Sequence, residues 1–142
     1  MPSMPYSIPW ANSLFEDNAE FGFGMRVADD AMKRQIVSLI QNNLNLVKKS
    51  EAPIYKAYCE NITEETANNL LKIIDETKIE RLLKLKDFIA LKSVWMIGGD
   101  GWAYDIGYNG IDHVLASHEN INILVLDTEV YSNTGGQASK ST

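Results

Sequence analysis

Residues 93–101 read SVWMIGGDG, a nearly all-apolar run that ends in a Gly-Asp-Gly turn. A short apolar run closed by glycines is typical of a buried parallel strand that leads into a tight turn. A helical rhythm follows from about residue 105 to residue 117, and residues 121–126 (INILVL) form a second apolar run. These features predict a β-α-β unit over residues 93–142, in an α/β fold with a parallel sheet and flanking helices.

Both apolar runs lack the polar alternation of a half-exposed strand. We therefore expect both strands to be buried on both faces, with Trp95 in the core. Such burial requires neighbouring strands and covering helices, which this chain scarcely supplies. The sequence also stops at Ser141-Thr142, shortly after a polar, glycine-bearing loop over residues 127–142. An incomplete, truncated α/β domain is the expectation.

Residues 18–91 are predicted to be helical, after an irregular proline-containing arm at residues 1–17. Apolar residues from 18 to 49 recur at intervals of three and four, which predicts one long helix. Its expected buried face consists of Phe21, Met25, Ala28, Met32, Ile36, Leu39, Ile40 and Val47. Thr63, followed by two glutamates, predicts the N-cap of a further helix. The whole chain, 1–142, is interpreted as part of a single domain.

Composition excludes several classes of protein. The chain is 45% hydrophobic and 23% charged, as globular proteins are, and its net charge of −6 supplies no cationic surface for nucleic acid. No window is long and apolar enough for a membrane span, and the start has no leader-like pattern, so we expect a cytoplasmic protein. Cys59 is the single cysteine. It cannot hold zinc or an iron-sulfur cluster alone and is interpreted as an ordinary packed thiol.

Oxygen-bearing groups follow both predicted strands. Asp100 ends the first strand between Gly99 and Gly101, and Thr128 follows the second. The carboxyl ends of neighbouring parallel strands meet at one edge, where open α/β sheets bind ligands. Mg²⁺ prefers octahedral oxygen coordination by one or two protein groups together with phosphates and water. Asp100, Thr128 and a backbone carbonyl near Val130 therefore predict a magnesium site.

The glycine-bearing loop and the predicted helix carry further signals. Asn133 and the glycines after it offer polar groups and amide N–H donors suited to a diphosphate or a reacting carbonyl. Gly107 and Gly110 lie in the predicted helix, where each costs about 1 kcal/mol relative to alanine. We expect that a neighbouring group needs to come close to the backbone there.

Several residues admit two interpretations. Trp102 either stacks on a cofactor or fills the core. His113 and His118 are interpreted as packed or solvated side chains. Three acids near the predicted start of the long helix are assigned to its dipole and not to a metal: Glu16, Asp17 and Glu20.

Two segments have distinctive amino-acid sequences. GGDGWAYDIGYNGIDHVLAS (98–117) and LDTEVYSNTGGQASK (126–140) resemble the thiamine diphosphate binding domain of pyruvate:ferredoxin (flavodoxin) oxidoreductases. WANSLFEDNAEFGFGM (10–25) is similar to the segment that precedes this motif in that family, whereas residues 40–91 carry no distinctive wording. Many thiamine diphosphate enzymes have asparagine at the position of Thr128. Threonine at this position is similar to what the pyruvate:ferredoxin oxidoreductase subfamily uses.

The resemblance implies roles for particular residues. Asp100, Thr128 and the Val130 carbonyl would bind Mg²⁺, Asn133 would lie beside the diphosphate and the reacting carbon, and Gly99 and Gly101 would shape the turn. It also implies thiamine diphosphate as cofactor, with Trp102 as a candidate contact. Iron-sulfur clusters would belong to the full enzyme but would not be ligated by this chain.

The implied reaction is oxidative decarboxylation of pyruvate to acetyl-CoA and CO₂, with ferredoxin or flavodoxin as electron acceptor. The implied partners are the remainder of the same enzyme, coenzyme A and a second copy in a homodimer. Because the family's aminopyrimidine-activating glutamate comes from a distant domain, this chain is expected to be inactive alone. Two alternatives stay open: another 2-oxo acid as substrate, or a nonenzymatic α/β binding module that binds no thiamine diphosphate.

Overall fold

The computed structural model describes residue 11, residues 16–131 and residues 135–140. It contains helices and a parallel sheet, so the predicted α/β class is confirmed. The chain divides into two compact units, residues 25–93 (the helical unit) and residues 1–24 with 94–142 (the sheet unit). Membership of both units in a single domain stays a prediction, and most of the arm at residues 1–17 lies outside the described residues.

The sheet unit contains the predicted β-α-β arrangement. Strand β1 (Trp95–Gly98) pairs in parallel with β2 (Asn122–Val125), with Trp95 opposite Asn122 and Gly98 opposite Val125. Two helices, α5 (Asp100–Tyr104) and α6 (Tyr108–Ala116), lie between these strands in sequence. The single helix predicted for residues 105–117 therefore starts later than expected and is preceded by a short separate helix.

A close backbone approach accompanies this break. A Cβ added to Gly107 would lie 2.5 Å from the carbonyl oxygen of Trp102, and one added to Gly110 would meet the Glu20 carboxylate. The Gly107 contact confirms the expected close approach, because the Trp102 backbone cannot move away. The Gly110 contact is weaker evidence, because the Glu20 carboxylate is the end of a flexible side chain. Downstream, β3 (Val130–Tyr131) pairs antiparallel with β4 (Gln137–Ala138). This small sheet was not predicted, since two-residue strands carry no measurable periodicity.

The two faces of the β1–β2 sheet differ in burial. One face holds Met96, 3% exposed, in a core with residues of the first helix, α1 (Asn18–Asn42), and of α5 and α6: Ala19, Trp102, Ala103, Ile111 and Val114. The other face exposes Trp95 (60%), Ile97 (38%) and Leu124 (42%). The prediction of burial on both faces, with Trp95 in the core, is wrong for this chain. Its physical reason is that the described helices of this unit pack against the Met96 side only.

The helical unit is formed by the rest of α1 (Asn18–Asn42), followed by α2 (Ala52–Glu60), α3 (Glu64–Ile73) and α4 (Glu80–Leu83). Its core includes Ile36, Ile40, Tyr55, Tyr58, Leu70, Ile74, Leu82 and Ile89. The Thr63 N-cap is confirmed, because its side chain accepts a hydrogen bond from the Thr66 backbone N–H. The first helix ends at Asn42, earlier than predicted, and the Asn43 side chain donates to the Leu39 carbonyl at 2.8 Å.

In the helical unit, the buried stripe of α1 matches the predicted one at Ile36 and Ile40 but differs from it nearer the start of the helix. Arg26, Asp29 and Lys33 are 5–6% exposed and lead into buried Ile36 and Ile40, whereas Met25 is 56% exposed and Ala28 is also exposed. Phe21, in the sheet unit, is 54% exposed. Two stripes with the same spacing run side by side along this helix, so periodicity alone cannot choose between them.

Charge pairing explains why the polar stripe can be buried. Arg26 donates to Asp29 at 2.9 Å and also pairs with Asp30, and Lys33 pairs with Asp29. Arg26 additionally donates to the backbone carbonyl of Lys92 at 3.2 Å. Buried charges are tolerated when they are paired and hydrogen-bonded in this way.

Candidate functional site

Asp100 and Thr128 lie together at the carboxyl ends of β1 and β2. Asp100 is the first residue of α5, directly after its N-cap Gly99, and is only 2% exposed. Thr128 follows β2 by three positions and is exposed. The parallel register of the two strands brings these residues, 28 positions apart in sequence, into direct contact.

Within the described residues, three donors contact the Asp100 carboxylate. Oδ1 accepts hydrogen bonds from the Thr128 backbone N–H at 2.9 Å and from Thr128 Oγ1 at 3.0 Å. Oδ2 accepts one from Ser139 Oγ at 3.0 Å. The backbone N–H of Thr128, followed by the two hydroxyls, lowers the pKa of Asp100 from 3.8 to about 2, against the opposing effect of burial. Asp100 is therefore an anion throughout the physiological range.

Three oxygens form a compact group, here called the oxygen triangle: Asp100 Oδ1, Thr128 Oγ1 and the Val130 carbonyl oxygen. Thr128 Oγ1 lies 3.0 Å from the first and 3.3 Å from the last. Its single proton can serve only one of these two acceptors at a time. Adjacent ligands of an octahedral Mg²⁺ with Mg–O distances of about 2.1 Å are separated by about 3.0 Å. The donor chemistry of this group and the two separations from Thr128 Oγ1 are thus compatible with a magnesium ion.

Of the two glycines at the end of β1, only Gly98 fits closely against α5. A Cβ added to Gly98 would collide with the Trp102 ring, whereas one added to Gly99 would have only the Leu126 carbonyl oxygen nearby, at 3.9 Å. Trp102 is completely buried in the sheet-unit core, and Gly101 is buried as well. The Trp102 ring therefore fills the core, and any contact of this residue with a cofactor stays a prediction.

The segment after β2 is tied down by polar contacts. The Asp127 carboxylate accepts hydrogen bonds from the Tyr104 hydroxyl at 3.3 Å and from the Glu129 backbone N–H at 3.0 Å. Burial, followed by the Asp127 charge, raises the pKa of Tyr104. Glu129 has a φ of 62°, in the left-handed region that disfavours residues with a Cβ. Backbone strain is thus present between two residues of the oxygen triangle.

The predicted site residues meet different outcomes. Asp100, Thr128 and Val130 come together as the spacing predicted, whereas Asn133 lies outside the described residues. Ser139, which contacts Asp100 Oδ2, was missed. A lone serine in a polar loop has no periodicity or spacing that would single it out; only its place within the QASK wording could have drawn attention.

The other candidates behave as ordinary structural residues. His113 packs edge-on against Phe23 at 5.8 Å, and His118 is exposed. In the helical unit, Cys59 is half-buried, and burial raises the pKa of its thiol. A thiol with a raised pKa is less reactive than a fully exposed one.

Within the described parts of the chain, no helix has both the length and the apolar character of a membrane span.

Comparison with curated proteins gives a consistent set of relatives. The chain is 50% identical to the pyruvate-flavodoxin oxidoreductase of Trichormus variabilis over 94% of the chain. It is 44% identical to the pyruvate:ferredoxin oxidoreductase of Moorella thermoacetica over 99% of the chain, and 46% identical to the pyruvate-flavodoxin oxidoreductase of Klebsiella pneumoniae over 99%. The chain belongs to the pyruvate:ferredoxin (flavodoxin) oxidoreductase family. No family model matches it.

The family match confirms the resemblance read from the sequence and extends it. The alignments cover 94–99% of the chain and so include residues 40–91, whose sequence alone suggested no family. The chain spans 12–14% of the length of these oxidoreductases, so it corresponds to one segment of them.

Proposed function

We propose that this chain is the thiamine diphosphate and Mg²⁺ binding segment of an enzyme that decarboxylates pyruvate oxidatively. Products would be acetyl-CoA and CO₂, with electrons passed to ferredoxin or flavodoxin. The oxygen triangle carries the proposal, because its hard ligands and spacing suit a magnesium ion at the ligand-binding edge of a parallel sheet. The names of the relatives support pyruvate and a ferredoxin or flavodoxin acceptor.

Each residue has a defined part in this proposal. Asp100 supplies the negative charge, held ionised by its donors, while Thr128 Oγ1 and the Val130 carbonyl supply neutral oxygens. These oxygens would hold the ion, which would offset the negative charge of the cofactor diphosphate. Thiamine diphosphate, once bound, provides the carbon nucleophile and electron sink for decarboxylation. Asn133 is proposed beside the diphosphate and the reacting carbon.

The remaining parts of the reaction are assigned to the rest of the enzyme. Iron-sulfur clusters carry the electrons and are held elsewhere, because Cys59 is the single cysteine here and a cluster takes several. Coenzyme A, the acceptor protein and a second copy of the enzyme are the proposed partners. The isolated chain is therefore proposed to bind cofactor without turning over pyruvate.

Two alternatives make different predictions. Another 2-oxo acid as substrate would leave the cofactor site unchanged and would appear only as a different substrate preference of the full enzyme. A nonenzymatic binding module would show no magnesium-dependent affinity for thiamine diphosphate. The lowered pKa of Asp100 and its convergence with two further oxygens favour the cofactor site over a loop that merely turns the chain.

Calorimetric titration with thiamine diphosphate, with and without Mg²⁺, tests the proposal. The chain is first shown to be folded by circular dichroism. We expect binding that requires Mg²⁺, loss of that binding in Asp100→Asn, and retention in Asp112→Asn, which makes the same change at an exposed position on α6. A folded wild-type chain that binds no thiamine diphosphate at any Mg²⁺ concentration would favour the nonenzymatic module.

A further inference from the structure

Ser139 connects the far end of the polar loop to the end of β1. It lies directly after β4 and is 5% exposed. Its hydroxyl donates to Asp100 Oδ2 at 3.0 Å, and its backbone N–H donates to the Glu129 carbonyl at 3.2 Å. The β3–β4 pairing, with Val130 opposite Ala138, places Ser139 beside Glu129. The segment thus folds back so that both of its ends contact one carboxylate.

The two oxygens of Asp100 consequently have separate partners. Oδ1 faces Thr128 and belongs to the oxygen triangle, while Oδ2 is held by the buried Ser139 hydroxyl. Oδ1 also accepts hydrogen bonds, but they come from Thr128, whose hydroxyl is itself part of the oxygen triangle. Oδ2 is directed instead at a buried hydroxyl outside the triangle, which keeps it away from an ion held there. Asp100 is therefore oriented to offer a cation one oxygen, not two.

The number of oxygens offered matters for the identity of the ion. Mg²⁺ requires near-ideal octahedral geometry at about 2.0–2.1 Å, whereas Ca²⁺ accepts six to eight ligands at about 2.3–2.6 Å and commonly takes carboxylates in bidentate mode. We infer that Ser139 is a positioning residue that keeps Asp100 monodentate and thereby sets the preference of the site for Mg²⁺ over Ca²⁺. This inference rests on the proposed function, because it concerns the same oxygen triangle.

The test compares Ser139→Ala with Ser139→Thr, which keeps the hydroxyl, in the longest natural polypeptide that contains this chain. Ser117→Ala is the matched control, since Ser117 Oγ donates at 2.6 Å to the Val114 carbonyl at the end of α6. Affinities for Mg²⁺ and for Ca²⁺ are measured separately by calorimetry in the presence of saturating thiamine diphosphate. The readout is the ratio of the two affinities, which general loosening of the fold would leave unchanged.

Removal of the Ser139 hydroxyl is expected to lower Mg²⁺ affinity about 10- to 100-fold, as is usual for groups that orient a metal ligand. Ca²⁺ affinity is expected to fall less, because a freed Oδ2 can join its coordination, so the Mg²⁺/Ca²⁺ ratio should drop at least about threefold. Ser139→Thr should restore the ratio, and Ser117→Ala should not change it.

Suppose that the wild type binds thiamine diphosphate in the presence of Mg²⁺ and that Asp100→Asn does not. Two results would then overturn this inference and leave the proposed function standing. One is an unchanged Mg²⁺ affinity in Ser139→Ala, and the other is an equal loss for both ions. A wild-type protein with no magnesium-dependent binding of thiamine diphosphate would overturn the proposed function and this inference together.

Discussion

The backbone N–H of Thr128 donates to Oδ1 of Asp100 at 2.9 Å and joins the carboxyl ends of two neighbouring parallel strands. This bond is the main cause of the lowered Asp100 pKa of about 2. The fold therefore favours the ionised carboxylate. Its stabilising effect is complete above the ordinary value of 3.8 and is lost as pH falls toward about 2.

The pH dependence of unfolding tests this relationship. The stability difference between wild type and Asp100→Asn is expected to be constant above pH about 5 and to shrink in favour of the variant as pH falls toward 2. Urea unfolding at a series of pH values measures it, and the carboxylates that do not interact with Asp100 cancel in the comparison. A difference that does not change between pH 5 and pH 2 would contradict the assigned hydrogen bonds.

The Thr128 hydroxyl is predicted to serve both the fold and the ion. Thr128→Val keeps the backbone donor and the side-chain shape but removes Oγ1 from the oxygen triangle. We expect unfolding stability to fall by about 1 kcal/mol and Mg²⁺ affinity to fall at least about tenfold. Thr128→Ser, which keeps the hydroxyl, should retain most of both. Equal Mg²⁺ affinity in the valine and serine variants would remove Thr128 Oγ1 from the site.

The contact between Gly107 and Trp102 predicts a large difference between two glycines. In Gly107→Ala the new Cβ would lie 2.5 Å from a backbone oxygen, and backbone cannot move away as a flexible side chain can. We expect a loss of about 1–3 kcal/mol or more. Gly24→Ala is the control, because no atom of the described residues beyond the adjacent helix backbone lies within 4 Å of an added Cβ, and α1 should gain about 0.5–1 kcal/mol. Chemical denaturation measures both, and similar effects of the two changes would contradict the packing of α5 against α6.

The two faces of β1 predict opposite sensitivity at adjacent positions. Trp95→Thr, at a 60% exposed position, should change stability by less than about 1 kcal/mol. Met96→Ala, at a 3% exposed position, should cost about 2–5 kcal/mol. Thermal or urea unfolding of the 142-residue chain gives both values. A larger loss of unfolding stability for Trp95→Thr than for Met96→Ala would contradict a core on the Met96 face of the sheet.

Sequence reasoning succeeded where a local pattern alone determines structure. The two apolar runs around a helical rhythm predicted the β-α-β unit, and Thr63 followed by acids predicted a helix start. The meeting of Asp100 with Thr128 followed from the parallel topology, since strand ends at one edge must be close.

Sequence reasoning failed where tertiary packing decides between two patterns of the same residue spacing. The spacing on α1 suits both an apolar and a charged stripe, and only the pairing of Arg26 with Asp29 shows why the charged stripe is buried. The prediction that Trp95 lies in the core was wrong because an all-apolar strand predicts burial whether or not a helix covers it. Ser139 was missed because its position depends on the pairing of two strands of two residues each, which are too short to show a sequence period.

The location of the bound metal tests the central claim most directly. Crystals of the longest natural polypeptide that contains this chain, grown with thiamine diphosphate and Mn²⁺ as an octahedral oxygen-binding substitute for Mg²⁺, would be measured at the manganese absorption edge. We predict an anomalous peak within about 2.1–2.3 Å of Asp100 Oδ1, Thr128 Oγ1 and the Val130 carbonyl oxygen, with Ser139 still bonded to Oδ2. A manganese peak with thiamine diphosphate at any other place, and none beside these three oxygens, would contradict the account.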